Sequence, residues 1–564
     1  MNDNLSVKRT VVCFSGIIFL SMVVLAVVGG VRNFSEIPYW DMWDGTVDFL
    51  LKFKSGDYGS LWAQHNEHRI VLAKIIFIAD HYFFGGRNVF SVVANYIFFG
   101  LSGYVFFLYS RRVRLSEVLA GDVYKMFVFT MLSWLFLWTQ SDNFYLAFQS
   151  QFVLAQLLPL TAFYFMAKNA KFDRSLDFFA ACFFAILAMG SMANGVLAFP
   201  LMYFYALLLK MNRRKCVLLL VAAVAFPAIY FFHYHAPEGH GHLLVSLRTQ
   251  PLQFLLYVLM YLGSPFHYLL GKGVGGNVAA LIMGAVLIIF SLLMFIRQLK
   301  AESRSEFILA LLLFIAYISA TAIGTAGGRL IFGINQALES RYTTPAIMAW
   351  TAFFLSVASS FVFEKMLSKR MFVAGFVLLN LCMLGVQLKT LKPVNPMLYI
   401  REQAALALSL KVNDVDYVHS VYPDADRAMM LANRAAQNGV SIFSKPPFFD
   451  LSSKIGYKMP SGSFSMCSGS VDHVYLLAAA PDYIRIDGWV YSPIDKKSPE
   501  RMTIVNDQGL IAGYAVVGMP RDDVASKFGS PARSSGFGGY IKKSFLTQSM
   551  YGIGTTPQCR FVMK

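Results

Sequence analysis

The sequence predicts a polytopic α-helical membrane protein with a separate C-terminal domain, and three observations support this fold class. Of the 564 residues, 56% are hydrophobic and only 14% are charged, and the mean hydropathy is +0.53. A soluble chain of this length would leave too much of that apolar surface in water. Uncharged runs of about 16–22 residues, long enough to cross a bilayer, recur as far as residue 390. Lys and Arg fall mostly in the short connections between those runs, as the positive-inside rule requires.

The formal net charge of +17 arises from these connections and does not indicate nucleic acid as a partner. The first apolar run, 10–31, follows Lys8 and Arg9, which places the N-terminus in the cytoplasm. This run is long, lacks a small-residue cleavage site and leads into further spans. We therefore expect it to be retained and not cleaved as a signal peptide.

Basic clusters on alternate sides of the apolar runs predict about eleven transmembrane helices, with the N-terminus inside and the C-terminus outside. Two spans are expected within 178–209, because basic clusters bound this run on both sides and the residues 191–195 offer an Asn-Gly turn. Arg114 and Lys365 belong to the cytoplasmic clusters. The predicted spans cover 10–31, 89–110, 123–139, 152–167, the two halves of 178–209, 217–232, 278–296, 307–326, 343–363 and 371–388.

The segment 252–270 is apolar but interrupted by a Gly-Ser-Pro sequence and a histidine. If it crossed the membrane, Arg297 and Lys300 would face outward, against the positive-inside rule. We therefore predict a re-entrant or interfacial segment, which is tolerated where backbone is buried in protein. Two stretches of the first outer loop, 47–53 and 70–84, are apolar but broken by charges, and we predict helices lying at the membrane interface.

The composition changes near residue 390, which predicts two domains. The first, 1–390, lies in the membrane and includes a first extracytoplasmic loop at 32–88. The second, 391–564, lies outside the membrane and is large enough to fold alone. It begins with helical stretches and is β-rich from about residue 471, and alternating apolar residues with Gly and Asp-Gly breaks predict an α+β domain ending in a β-sandwich. Its clearest predicted strands are 474–477, 483–491, 502–506 and 510–517.

Four of the six cysteines lie within or at the edge of predicted spans. Cys467 and Cys559 fall in the extracytoplasmic domain, where an oxidising compartment would permit a disulfide between them. Spacing alone does not fix their distance, so the alternative of two free thiols stays open.

The loop after the first span is dense in acidic and aromatic residues. Asp41 and Asp44 lie beside Trp40 and Trp43, and Glu36 precedes them. Ionisable groups this close to a membrane are unfavourable, which favours a function. A carboxylate here could act as general base on an attacking acceptor hydroxyl, while the tryptophans and Glu36 contact substrate. The alternative is that the tryptophans anchor the loop at the interface and the aspartates are solvated.

A second polar cluster contains His65, Glu67, His68 and Arg69. If this stretch is helical, His65 and Arg69 share a face, and the cluster suits contacts to a sugar or a phosphate. Zinc is an alternative, although the HExxH pattern is absent, and structural polar packing is another. The histidine-rich loop 233–242 could also bind metal, but we expect it to fold over substrate.

A late outer loop, 327–344, carries Arg329, Arg341 and Tyr342. Arg341 lies at the start of the tenth predicted span, at the depth of a lipid phosphate. We predict that it binds a phosphate leaving group with the help of Arg329, Tyr342 and Arg69, because guanidinium groups match phosphate geometry. The alternative is that these arginines snorkel to lipid headgroups. We predict no metal ion and no cofactor.

This arrangement resembles the GT-C superfamily of integral-membrane glycosyltransferases. The resemblance rests on the many spans, on Asp41 and Asp44 in the first outer loop, on the pair Arg341 and Tyr342 in a late outer loop, and on the external C-terminal domain. It covers about residues 10–390. The acidic residues of the family are often adjacent or once spaced, whereas here two residues separate them, which leaves open which aspartate is the base.

The resemblance implies a metal-independent, inverting transferase in a bacterial inner membrane, with its C-terminal domain in the periplasm. The donor would be a polyprenyl-phosphate-linked sugar, and the acceptor a lipid-linked glycan or surface polysaccharide of the O-antigen or lipopolysaccharide type. The nearest alternative is an O-antigen polymerase or ligase, which relies on arginines. A transporter of lipid-linked glycans would need charged residues inside the spans, which are almost free of them, and a non-catalytic scaffold would not need the acidic loop.

Overall fold

The structure, a computed structural model, describes residues 2–113, 115, 119, 121–359, 369–392, 395–460 and 462–563. Three predicted features lie outside the described residues: Arg114, Lys365 and the segment 360–363 at the end of the tenth predicted span. Helices make up most of the first 390 residues, and strands are confined to the C-terminal part of the described chain. The helices are α1 (Asn2–Asn33), α2 (Phe49–Lys54), α3 (Val71–Phe83), α4 (Val89–Arg112), α5 (Asp122–Leu135), α6 (Ser141–Tyr145), α7 (Ser150–Phe172), α8 (Ser175–Met189), α9 (Ala198–Leu208), α10 (Arg213–Phe231), α11 (Leu243–Thr249), α12 (Pro251–Leu269), α13 (Val274–Lys300), α14 (Glu306–Arg329), α15 (Thr343–Ala358), α16 (Lys369–Gln387), α17 (Pro396–Leu410), α18 (Val415–Val421), α19 (Ala425–Gln437) and α20 (Asp522–Phe528).

Within the described residues, seven helices are long and apolar enough to cross a membrane, or eight if the bent pair α11 and α12 counts as one span. The seven are α1, α4, α7, α10, α13, α14 and one that includes α16. The exposure of apolar side chains supports a membrane location. On helix α10, Val217, Val221 and Val224 are 59–65% exposed, as expected of a helix that faces lipid. The structure therefore agrees with a mostly helical, membrane-embedded protein. The remaining four predicted spans correspond to the shorter helices α5, α8, α9 and α15.

The uncharged run 178–209 forms two helices, as predicted. Helix α8 ends at Met189, a 3₁₀ turn covers Ala193–Leu197, and α9 begins at Ala198. Gly195 is required here, because a Cβ atom at this position would lie 2.2 Å from the carbonyl oxygen of Ala188. The close approach of the turn to the end of α8 thus ends one helix before the next begins.

The predicted discontinuity near residue 252 is also present. Helices α11 and α12 meet at an angle of 116°, and Pro251 is the first residue of α12. Proline fits the first turn of a helix and disfavours a helical conformation in the residue before it. The bend is compatible with a broken span or with a re-entrant segment.

The chain forms two compact units. We call the unit made of Met1–Phe34, Leu61–Ile76 and Ser91–Lys392 the membrane unit, and the unit made of Ser35–Ser60, Phe77–Phe90 and Pro393–Lys564 the C-terminal unit. The predicted boundary near residue 390 agrees with this division. The assignment of the whole loop 32–88 to the first domain does not, because most of that loop belongs to the C-terminal unit.

The membrane unit places polar groups in its interior against backbone carbonyls of other helices. The indole nitrogens of Trp134 and Trp350 donate to the carbonyls of Ile347 and Leu262, at 3.1 and 3.0 Å. The Tyr317 hydroxyl donates to the carbonyl of Ala155 at 2.7 Å. Buried polar groups need such partners, and in a helical bundle they fix how the helices pack.

The strands of the C-terminal unit form one eight-stranded sheet in the order β1-β8-β7-β4-β5-β6-β3-β2. The predicted strand 483–491 matches β3 in full, and the other three predicted strands overlap β2, β4 and β5. The sheet curls, since Phe537 on β6 and Phe561 on β8 lie 6.0 Å apart although their strands are not neighbours. The β-rich domain is confirmed, whereas a sandwich of two sheets is not. The strands are β1 (Ser465–Met466), β2 (Ser468–Leu476), β3 (Tyr483–Tyr491), β4 (Arg501–Asn506), β5 (Ile511–Met519), β6 (Gly536–Lys542), β7 (Met550–Gly554) and β8 (Cys559–Met563).

Cys467 and Cys559 are joined by a disulfide between the end of β1 and the start of β8. Replacing both residues by serine should lower the free energy of unfolding of the C-terminal unit by about 2–4 kcal/mol, because the bond closes a loop of 92 residues. Thermal unfolding of the purified protein, followed by fluorescence, measures the change. Cys216→Ser is the control, since Cys216 is a free thiol, and an equal loss in that variant would contradict a role for the bond.

Candidate functional site

The acidic stretch after the first helix is anchored within the C-terminal unit. Trp43 is fully buried, with its ring 5.6 Å from that of Phe443 and 6.2 Å from that of Tyr422. The backbone N–H of Trp40 donates to the carbonyl of Val421 at 2.8 Å. Trp43 therefore fills a hydrophobic core and is not placed to contact substrate, in contrast to the prediction. Trp40 keeps an exposed side chain.

The carboxylate of Asp44 is bound through both oxygens. The Tyr422 hydroxyl donates to Oδ2 at 2.6 Å, and Nε and Nη2 of Arg427 donate to Oδ1 at 3.0 and 2.5 Å. Burial, followed by the bond to Asp44, raises the pKa of Tyr422 to about 12. The same carboxylate raises the pKa of Arg427 above its already high value. The arrangement holds the Asp44 carboxylate in place through three hydrogen bonds, which suits a positioning residue better than a base that must accept a proton.

Asp48 extends this network on the π-helix Trp43–Asp48. Its carboxylate lies 2.8 Å from Nζ of Lys52 and 3.6 Å from Nη2 of Arg427. Sequence reasoning missed Arg427, Tyr422 and Asp48. Of these three residues, only Asp48 carried a signal in the sequence. Asp48 lies four residues before Lys52, a spacing that favours ion pairs on helices.

Asp41 precedes this network and is half-buried. Its carbonyl accepts a hydrogen bond from the N–H of Gly45 at 2.8 Å, which fixes the backbone at the start of the helix. Glu36 forms contacts with two other residues of the loop. Its carboxylate lies 3.2 Å from Nη1 of Arg87, and its backbone carbonyl accepts a hydrogen bond from the side-chain amide of Asn88 at 3.0 Å. Glu36 thus holds the loop together, which does not support the predicted contact with substrate.

In the membrane unit, the Glu67 carboxylate contacts Arg329 and His240. Nη2 of Arg329 lies 3.0 Å from Oε1, and Nδ1 of His240 lies 2.6 Å from the same oxygen. Burial alone would raise the pKa of Glu67, but the charges of His68, Arg329 and His240 together lower it. Glu67 is therefore an ionised carboxylate that neutralises Arg329.

Arg69 is bound by the backbone of neighbouring segments in this structure, and its role in binding phosphate stays a prediction. Only 5% of it is exposed, and its guanidinium donates to the carbonyls of Trp62, Tyr230 and Phe232 at 2.8–2.9 Å. Its backbone N–H donates to the Tyr230 hydroxyl at 2.9 Å. A guanidinium that donates to three carbonyls uses three of its five N–H groups to hold these chain segments together.

His65 and His68 are paired through their backbones and do not stand on one helical face. The two N–H···O bonds between them measure 2.8 and 2.9 Å, and Nδ1 of His68 accepts the N–H of Ala193 at 3.2 Å. The His65 ring packs edge-on against Phe148. Among the described residues, no group of three or more His, Cys, Asp or Glu side chains could hold a metal ion.

The histidine-rich loop 233–242 folds onto the same cluster. Gln64 and His235 exchange two hydrogen bonds, of 2.5 and 3.2 Å, and the N–H of Gly241 donates to the carbonyl of Gly328 at 3.0 Å. Together with the contact between His240 and Glu67, these bonds close the loop over the end of α14. Hydrogen bonds and the contact with Glu67 therefore hold the loop in place within the membrane unit.

A candidate anion-binding group in the membrane unit is the hydroxyl of Tyr257 on α12. Tyr257 is fully buried, and its hydroxyl has no hydrogen-bond partner among the residues that the structure describes. The positive charges of Arg329 and Arg341 both act on it. The guanidinium of Arg341 lies 5.2 Å from the ring of Tyr342, and that ring lies 5.5 Å from the ring of Tyr261. Tyr342 thus supports Arg341 by stacking.

Sequence reasoning missed Tyr257 and Tyr261, because both lie in the mostly apolar segment 252–270, whose pattern indicates a discontinuous helix and not a site. The signal available was their spacing of four residues, which places two phenols on one helical face. Arg329, Arg341 and Glu67 belong to the membrane unit, whereas Asp41, Asp44 and Glu36 belong to the C-terminal unit. A scan against protein-family models and a search of the curated proteins found no match.

Replacing Glu67 by Gln should destabilise the loop 233–242, because the half-buried Arg329 loses its counter-ion and His240 loses the carboxylate that lies 2.6 Å from its Nδ1. We expect a loss of about 1–3 kcal/mol and faster cleavage of the loop by thermolysin. Glu238→Gln, an exposed position in the same loop, is the matched control and should leave the cleavage rate unchanged.

The same carboxylate makes the loop sensitive to acid. Because folding lowers the pKa of Glu67, its stabilising contribution is complete above the pKa of the unfolded chain, about 4.3, and is lost as pH falls through the lower folded value. The wild-type loop should therefore become more susceptible to an acid-active protease below about pH 4. The Glu67→Gln variant should not show this step, and an identical step in both proteins would contradict the assignment.

Proposed function

We propose that this chain is a membrane glycosyltransferase that uses a polyprenyl-phosphate-linked sugar. The observation that carries the proposal is the buried Tyr257 hydroxyl, which has no hydrogen-bond partner among the described residues and lies in the field of the positive charges of Arg329 and Arg341. A buried polar group left unpaired is unfavourable, and a ligand that accepts a hydrogen bond removes the penalty. Two guanidinium groups and one hydroxyl donor suit a phosphate ester.

The donor phosphate is proposed to bind chiefly to Arg341. Arg329 already has Glu67 as counter-ion at 3.0 Å, so its charge is partly neutralised, whereas the ring of Tyr342 lies 5.2 Å from the Arg341 guanidinium and supports it by stacking. The lipid chain of the donor would lie among the apolar helices, several of which expose their side chains. This arrangement is consistent with the GT-C resemblance.

We propose Asp41 as the general base and Asp44 as the residue that positions it. The acceptor oxygen forms a bond to the anomeric carbon of the donor sugar while the bond from that carbon to the phosphate oxygen breaks, with inversion. The acceptor proton passes to the Asp41 carboxylate, and the electron pair leaves with the phosphate oxygen, whose charge Arg341 balances. The support for choosing Asp41 is that Arg427 and Tyr422 already occupy both oxygens of Asp44.

The proposed setting is a bacterial inner membrane with the N-terminus in the cytoplasm. Eleven crossings follow if the shorter helices α5, α8, α9 and α15 also span, and the C-terminal unit, with its single curled sheet, then lies in the periplasm. The proposed acceptor is a lipid-linked glycan or surface polysaccharide of the O-antigen or lipopolysaccharide type. Neither a metal ion nor a cofactor enters the proposed reaction.

The pair Arg329 and Arg341 also favours one second candidate, an O-antigen polymerase or ligase, in which arginines hold the lipid-linked substrate. The two candidates differ in product. A polymerase or ligase changes chain length or attachment, whereas the proposed transferase adds one sugar.

The experiment that tests the proposal is mass spectrometry of cell-surface glycans with and without this chain. We expect a mass difference of one sugar residue per modified unit in cells that carry it. A change only in chain length would favour the polymerase or ligase, and identical glycans would contradict both.

A further inference from the structure

We infer that the C-terminal unit contains a binding site for a neutral saccharide. The site is a cavity of about 360 Å³ between the ends of α17 and α19 and the segment that follows α19. Its wall includes Asn433, Gln437, Asp450, Phe443 and Phe449. Its volume falls within the range of small-molecule sites, about 300–1,000 Å³.

The polar groups of the cavity can bind hydroxyls. Asn433 and Gln437 are one helical turn apart on α19, and both residues line the cavity. Each amide offers both donors and an acceptor, which is what a sugar hydroxyl, itself donor and acceptor, requires. Asp450 adds a carboxylate that can accept from two hydroxyls at once.

An aromatic side chain supplies the apolar surface that a sugar ring needs. Phe449 is 43% exposed at the wall of the cavity, while Phe443 is buried behind it. An exposed phenylalanine next to polar groups is unfavourable in water, and the C–H face of a sugar ring can cover it.

The charges of the cavity argue against an anionic ligand. Its lining contains one cation, Lys411, and one anion, Asp450, so the site is balanced. A phosphate site would concentrate cations or backbone N–H groups, as is proposed around Arg341. The backbone of Asp450 has a φ of 59°, a conformation that aspartate tolerates better than most residues and that recurs at ligand sites.

The cavity is linked to the acidic loop through one aromatic contact. Phe443 packs against Trp43, with ring centroids 5.6 Å apart, and Asp44 follows Trp43 in the chain. Binding of a saccharide here does not require the proposed transferase activity. If that activity is correct, the saccharide is part of the acceptor glycan.

The test is saturation-transfer NMR on the full-length protein in lipid nanodiscs, since the headgroups of glycosidic detergents would compete. The probes are the methyl glycosides of glucose, galactose, mannose and N-acetylglucosamine at about 10 mM, because a single sugar is expected to bind with a Kd of about 1–10 mM. We expect saturation transfer to at least one probe. Phe449→Ala and Gln437→Ala should each weaken that binding at least about tenfold.

Two matched controls keep the test specific. Leu546→Ala removes an apolar side chain that is 42% exposed, and Gln508→Ala removes an exposed amide; both should bind as the wild type does. Asp41→Asn should also bind normally, which separates this site from catalysis. Lack of transfer to all four probes, equal binding by the Phe449→Ala variant, or displacement of the glycoside by inorganic phosphate would overturn the inference.

Discussion

Replacing Asp41 by Asn is expected to reduce sugar transfer at least about a hundredfold, because proton removal by a positioned base contributes about 10²–10⁴ to the rate. Asn has nearly the same shape but cannot accept the acceptor proton. The measurement is the rate at which membranes containing the variant modify the acceptor glycan, normalised to the amount of inserted protein. An unchanged melting temperature would show that the loss is chemical.

Asp44→Asn is the matched comparison for this first prediction. It should reduce transfer less than about tenfold and lower the free energy of unfolding by at most about 1 kcal/mol, because the pair with Arg427 is more than a third exposed and partly screened by solvent. Tyr422→Phe removes the other partner of Asp44 and should behave similarly. If Asp44→Asn abolished transfer while Asp41→Asn did not, Asp44 would be the base and the assignment here would be wrong.

Replacing Arg341 by Gln is expected to lower transfer about 10²–10³-fold, since loss of one group that stabilises transition-state charge has effects of this size. Tyr257→Phe should lower it less, by about tenfold, because it removes one hydrogen-bond donor without changing charge. Both effects should appear in kcat, because the leaving phosphate gains charge as the bond breaks. Steady-state assays with purified lipid-linked sugar measure them.

The control for the second prediction is Tyr268→Phe. Tyr268 lies on the same helix α12, but its hydroxyl donates to the carbonyl of Leu338 at 2.5 Å, so that it already has a partner. Its removal should affect stability and leave kcat unchanged. Equal losses in kcat for Tyr257→Phe and Tyr268→Phe would argue for a general effect of helix α12 and against a phosphate contact.

Sequence reasoning worked where a local repeating pattern determines structure. Every predicted apolar run contains a helix within the described residues, because an uncharged run in a membrane can satisfy its backbone only in that way. The break at Gly195 and the bend at Pro251 were also predictable, since both depend on the conformational limits of single residues. The number of crossings was less predictable, because helices of 14 to 16 residues such as α5 and α15 lie near the length limit.

The sequence was sufficient to propose which residue types form the candidate site, but not which residues contact one another. Arg69 and Arg329 are chemically identical, yet one is buried among three carbonyls and the other faces Glu67. What separates them is the set of neighbours brought by distant segments, for which a single sequence carries no signal. For the same reason the partner of Asp44 could not be foreseen, since Arg427 lies 383 residues further along the chain.

That separation has a consequence for how the protein is made. Asp44 leaves the ribosome long before Arg427, and at about 5–20 residues per second the interval is about 20–80 s. During this time Trp43, which ends fully buried, has no core to enter. The early loop therefore meets its partners only late in synthesis, and a chaperone that shields exposed tryptophan is expected to raise the yield of the full-length protein.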